Sequence, residues 1–108
     1  MTGGFSDRER AFEDRWAHDE ELRFKVLARR DKLLGLWAAG EMGLKGPAAE
    51  DYAKAIVQAE LTKAGDLAVL EKIRTDFAAH KIARTDHLIE RKMEELLGVA
   101  KTEIDGGR

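Results

Sequence analysis

Three things are missing from this 108-residue sequence: cysteine, a second proline and a long apolar run. Without cysteine, disulfides, thiolate metal sites and a cysteine nucleophile are excluded. Ser6 is the only serine, which argues against a Ser-His-Asp triad. No apolar run approaches the roughly 18 residues that span a bilayer, and residues 1–10 lack the apolar core of a signal peptide. These absences predict a soluble, cytoplasmic protein that does not insert directly into a membrane, and we predict no catalytic residues in it.

Charge is abundant but nearly balanced, because 37% of the residues are charged and the formal net charge is −2. That balance gives no indication of a nucleic-acid or membrane-surface partner. The basic cluster between Arg23 and Lys32 is spread around its predicted helix, so we predict no nucleic-acid binding. Asp14 and His18 lie one helical turn apart but have no third ligand. We therefore predict neither a metal site nor a cofactor.

Helical spacing of apolar residues dominates the chain and predicts an all-α protein. Pro47 suits the first turn of a helix, Gly65 a helix end and Thr85 an N-cap. Short connections between successive helices favour antiparallel neighbours. The sequence therefore predicts a four-helix bundle with a long first helix, and we expect the free protein to be monomeric. The predicted helices are about 22–42, 47–64, 66–80 and 85–104.

The N-terminal segment differs from the rest in its content of apolar residues. Between Ser6 and Glu21 the only large apolar side chains are Phe12 and Trp16, among seven acidic and three basic ones. That is little apolar surface to set against a backbone ordering cost of about 1–2 kcal/mol per residue. We therefore expect residues 1–21 to be a flexible segment that becomes helical on binding to a partner, and residues 22–108 to form the bundle.

The few aromatic residues of this segment lie along one line. Phe5, Phe12 and Trp16 fall within about 20° of one line along a helix, given 100° per residue. A narrow aromatic stripe on a charged helix suits the groove of a partner, and aromatic anchors contribute most to such contacts. The predicted partner-binding residues are these three anchors together with four charged neighbours that make polar contacts: Arg8, Glu9, Arg10 and Glu13.

Several stretches of the sequence are similar to a known family. They are DRERAFE (7–13), AHDEELRFK (17–25), ARRDKLLGLWAA (28–39), YAK (52–54), AGD (64–66) and RKMEEL (91–96). These stretches resemble the inhibitory zeta subunit of alphaproteobacterial F-type ATP synthases. Between residues 69 and 85 only the helical pattern matches. The resemblance covers nearly the whole chain and is most specific over residues 7–39.

The resemblance implies a function and a mechanism. The N-terminal segment is expected to become helical inside the catalytic headpiece, between its α and β subunits and near γ, and to block rotation in the hydrolysis direction. The protein would then be peripheral to the inner membrane while bound to the ATP synthase. Two alternatives stay open at this point: a helical adaptor that does not inhibit, and a bundle that binds a small molecule such as a nucleotide.

Overall fold

The computed structural model describes residues 7–106, and every regular element in that range is a helix. There are five of them: α1 (Asp7–His18), α2 (Glu20–Glu41), α3 (Pro47–Glu60), α4 (Asp66–Ala79) and α5 (Asp86–Gly106). The prediction of an all-α protein is confirmed. The prediction of four helices with a long first helix is not confirmed, because there are five helices in this range and the first is short and ends before Asp19.

The break between α1 and α2 is capped on both sides. Asp19 has an extended backbone, and its carboxylate accepts a hydrogen bond from the Leu22 N–H at 3.0 Å. This is a standard N-cap for α2. From the other side, the Arg23 guanidinium donates to the backbone carbonyls of Trp16 and Ala17, at 3.4 and 3.1 Å. These carbonyls belong to the last turn of α1, where no helical N–H is available for them. Both helix ends are therefore satisfied without a continuous helix.

Other helix boundaries follow the predicted signals. Pro47 begins α3, and the Thr85 hydroxyl accepts a hydrogen bond from the Leu88 N–H at 3.1 Å at the start of α5. Gly43 has a φ of +79° after the end of α2, a conformation that glycine adopts without a Cβ clash. Lys81 takes a similar left-handed conformation after α4, with a φ of 59°.

One boundary differs by several residues, because α3 ends at Glu60 and not near residue 64. The N–H of Leu61 bonds to the Gln58 carbonyl at 3.1 Å, and both the N–H and the hydroxyl of Thr62 bond to the Ala59 carbonyl. These three-residue spacings close tight turns and stop the helix.

The main core lies between α2, α3, α4 and the first half of α5. It consists of Leu34, Ala38, Ile56, Val69, Leu70, Ile73, Phe77, Ile89 and Met93. Helices α2 and α3 approach closely at Gly35, where a Cβ atom would lie 2.6 Å from the Cα of Ala53. Trp37 packs edge-to-face on Phe77 at the border of this core, with 5.7 Å between ring centroids. No residue of α1 belongs to the main core.

A second apolar cluster joins α1 to the bundle. Its buried members are Phe12, Leu22, Val26 and Ala100, with Trp16, Leu97 and Ile104 packed around them. Residues 7–18 are thus helical and docked in the isolated chain, which differs from the expectation that they become helical only on binding. The apolar surface that α1 itself lacks is supplied by α2 and by the second half of α5. Mobility of residues 1–21 remains a prediction.

Candidate functional site

The predicted partner-binding residues lie mostly on one face of α1, turned toward α5. Four of them line a groove between the two helices together with Gly98, Lys101, Thr102 and Asp105: Arg8, Glu9, Phe12 and Glu13. Trp16 belongs to the same apolar cluster as Phe12. We call Arg8, Glu9, Phe12, Glu13 and Trp16 the inner face of α1. Arg10 is exposed, and Phe5 lies outside the described residues.

Phe12 is the centre of the inner face. Its side chain is only 4% exposed, while most other residues of α1 face solvent. The Arg15 guanidinium stacks on its ring, with 5.8 Å to the ring centroid. Burying a phenylalanine of this kind contributes about 1.5–3 kcal/mol. Phe12 is the one buried side chain of α1 and therefore its main apolar anchor on the bundle.

Charged contacts frame the inner face. The Lys101 ammonium of α5 lies 3.4 Å from both carboxylate oxygens of Glu13 and 4.5 Å from the centroid of the Trp16 ring. Toward the start of α1, Arg8 donates to the backbone carbonyl of Asp105 at 3.0 Å, and its Nε lies 3.4 Å from the Asp105 carboxylate. Exposed ion pairs contribute at most about 1 kcal/mol each. These contacts orient α1 more than they hold it.

The bundle contains a buried charge cluster that was not predicted from the sequence, where the basic residues between Arg23 and Lys32 were described only as spread around a helix. Arg30 is 2% exposed and Asp31 is fully buried. The Arg30 guanidinium contacts Asp31 at 2.8 Å, Glu60 at 3.0 Å and Asp66 at 2.6 Å, so it joins α2, α3 and the start of α4. The helical phase contained a signal, because Val26, Arg30 and Leu34 are spaced four apart on the core face.

Three carboxylates around one guanidinium leave an excess of negative charge, which a proton on Glu60 relieves. Burial, together with hydrogen bonding to Asp31, raises the pKa of Glu60 to about 9. Although partial burial opposes it, the hydrogen bond and charge of Arg30 lower the pKa of Asp66. Asp31 Oδ2 is buried and has no hydrogen-bond partner among the described residues. A neutral Glu60 can donate to the Asp31 carboxylate, which an ionised Glu60 cannot do.

This cluster forms one wall of a groove of about 450 Å³ between α4 and α5. The groove has an apolar floor of Leu67, Leu70, Met93 and Leu97 and acidic groups from Asp66, Glu90 and Glu94. A nucleotide phosphate would meet those carboxylates, and Arg30 is already neutralised by its own partners. The chemistry of this groove therefore does not favour the nucleotide alternative.

Residues 7–106 contain neither a cluster of metal ligands nor a helix suited to cross a membrane. In that range no group of three or more histidine and carboxylate side chains is arranged to hold a metal ion. His18 is exposed at the end of α1. Within the same residues, none of the helices combines the length and the apolar character needed to cross a bilayer.

Comparison with known proteins gives one clear result. A family model described as "ATPase inhibitor subunit zeta" matches residues 1–103. The matched range includes all of α1 and the inner face described above. A search of curated proteins found no match.

Proposed function

The chain belongs to the ATPase inhibitor subunit zeta family, and from this premise we propose that α1 is the element that stops ATP hydrolysis. Membership of the family makes the chain a regulatory protein and not an enzyme, with the ATP synthase as its partner. In our proposal, α1 enters a catalytic interface of the headpiece between the α, β and γ subunits. There it blocks rotation in the hydrolysis direction and leaves synthesis permitted.

The observation that carries this proposal is the structural independence of α1. The helix is joined to α2 by one non-helical residue, Asp19, and contributes nothing to the main core. Apart from Phe12, the contacts that hold it are partly exposed ion pairs, the half-buried Trp16 and the hydrogen bonds from Arg23 to its last turn. A helix attached in this way can be removed from the bundle at a small cost in free energy.

The inner face also has the composition expected of an inserted helix. Phe12 and Trp16 provide aromatic anchors, which contribute most of the energy in helix-in-groove contacts. Arg8, Glu9 and Glu13 surround them with charges that can pair across an interface. In this proposal Phe12 and Trp16 enter a pocket of the headpiece, and the charged residues fix the orientation of α1.

The test is deletion of residues 1–18 followed by measurement of ATP hydrolysis by the isolated headpiece. We expect the truncated chain to lose inhibition, because it lacks α1. We expect the bundle to stay folded, because the main core has no α1 residue. Circular dichroism at 222 nm during heating checks the second point.

Other outcomes favour the alternatives. A truncated chain that inhibits as strongly as the full chain would exclude α1 as the inhibitory element. If neither chain inhibits but both bind the headpiece, the protein is an adaptor. If neither chain inhibits and both bind a small molecule with equal affinity, the bundle is a ligand-binding protein.

A further inference from the structure

The face of α1 that is proposed to meet the headpiece is already covered within this chain. Phe12 is buried against α2 and α5, Glu13 is paired with Lys101, and Arg8 is paired with Asp105. A side chain cannot occupy its place on α5 and a pocket of another protein at the same time. For this face, docking on α2 and α5 of its own chain and binding to the headpiece are therefore mutually exclusive.

We propose that the second half of α5, residues 97–106, is a competing dock for α1, so that the chain inhibits only from its undocked state. This inference rests on the proposed function. The docked helix is an internal competitor at a fixed effective concentration. The apparent affinity for the headpiece equals the intrinsic affinity multiplied by the undocked fraction.

Lys101 is the residue of α5 whose charge contacts two side chains of the inner face. One ammonium group serves two residues of the inner face, since it pairs with Glu13 and lies over the ring of Trp16. Its side chain is 22% exposed, so both contacts are partly shielded from water. A change of charge at this position weakens the dock without altering α1 itself.

The experiment compares Lys101→Glu with Arg91→Glu, which makes the same change of charge on an exposed position of α5 away from α1. Hydrogen exchange of the free chains reports docking in residues 7–18 and folding in α4. Inhibition of headpiece hydrolysis gives the concentration for half-maximal effect. For Lys101→Glu we expect exchange in α1 to accelerate at least about fivefold, with α4 unchanged. The half-inhibitory concentration should fall by the same factor. Arg91→Glu should change neither.

Three results would overturn the competing dock. The first is faster exchange in α1 with no fall in the half-inhibitory concentration. The second is unchanged exchange in α1, which would show that Lys101 does not hold it. The third is weaker inhibition by Lys101→Glu, which would mean that the headpiece uses Lys101 directly.

A second variant holds α1 in its docked position instead of releasing it. This test does not depend on the stability of Lys101→Glu. Because the natural chain has no cysteine, Glu13→Cys and Thr102→Cys can be joined selectively by a flexible, reducible bis-maleimide. Both positions line the groove between α1 and α5. The linked chain should need at least about tenfold more protein for half-maximal inhibition than the same chain after reduction.

Equal inhibition by the linked and reduced chains would contradict the competing dock. The deletion of residues 1–18 then shows which claim has failed. If the deleted chain loses inhibition, α1 inhibits without competition from α5. If it inhibits fully, the proposed function itself is wrong.

Discussion

Arg30 and its three carboxylate partners show how much one buried residue can organise. The guanidinium joins α2, α3 and the start of α4. Buried ion pairs add little net stability, but removing one partner leaves an uncompensated charge. A neutral Glu60 reduces the excess of negative charge around Arg30, because it supplies a hydrogen-bond donor where another anion would repel Asp31.

This arrangement predicts how stability depends on pH. The pKa of Glu60 is about 9 in the folded chain and near its ordinary value of 4.5 when unfolded. Between these values the folded chain binds more protons, so the free energy of unfolding falls as pH rises. The slope contributed by this group approaches about 1.4 kcal/mol per pH unit. Asp66 affects the pH dependence of stability only at acid pH. Because its pKa is lowered in the folded chain, its contribution to the free energy of unfolding is lost as pH falls below about 4.

Replacement of Glu60 by glutamine should remove this slope, because an amide does not titrate and can still donate to Asp31. The measurement is urea unfolding at intervals between pH 5 and 9. Glu50→Gln, at an exposed position of the same helix, is the control and should keep the wild-type slope. A slope that is unchanged in Glu60→Gln would show that Glu60 is ionised in the folded chain.

At the scale of elements, α2 and α3 approach each other closely where they cross at Gly35. An alanine there would place its Cβ 2.6 Å from the Ala53 Cα, and backbone must move to relieve this. Overpacking of this kind costs about 1–3 kcal/mol. Gly35→Ala should therefore lower the midpoint of thermal unfolding. Gly40→Ala is the control, because nothing lies within 4 Å of its added Cβ.

For Gly40→Ala we expect a gain of about 0.5–1 kcal/mol, since alanine is the better helix former. Calorimetric unfolding of both variants and the wild type gives the comparison. Equal or higher stability of Gly35→Ala than of Gly40→Ala would show that the helices separate at this crossing without cost.

Helix positions could be predicted from the sequence to the extent that local signals fix them. Pro47 and Thr85 mark helix starts because their effects depend on the first turn alone. The break at Asp19 was missed although Asp19 and the glutamates after it form an N-cap signature. The helical pattern continues through this position, and the contact of Arg23 with the end of α1 is not a local feature.

At the scale of the whole molecule, two apolar clusters stabilise different parts of the structure. The main core stabilises α2 to α5, and the second cluster fastens α1 to the bundle. The sequence indicated that the N-terminal segment has few apolar residues. It could not show the docking of α1, because the covering residues Leu97, Ala100 and Ile104 lie far away in the chain. The same limit hid Arg30, since its partners come from other helices.

The inner face thus has two alternative environments in our proposal: α5 in the free chain and the headpiece in the inhibited enzyme. The position of the Phe12 ring distinguishes them. A photoreactive benzoyl-phenylalanine at Phe12 reports its neighbours directly, and the same probe at Phe24 is the control, because that side chain is 49% exposed on α2.

The most direct measurement is therefore irradiation of the inhibited complex with the probe at Phe12, followed by identification of the linked peptides. We predict products with the α, β or γ subunits of the headpiece, and products with α5 of the same chain when the headpiece is left out. Linkage of Phe12 to α5 alone, in a complex whose ATP hydrolysis is inhibited, would contradict insertion of α1.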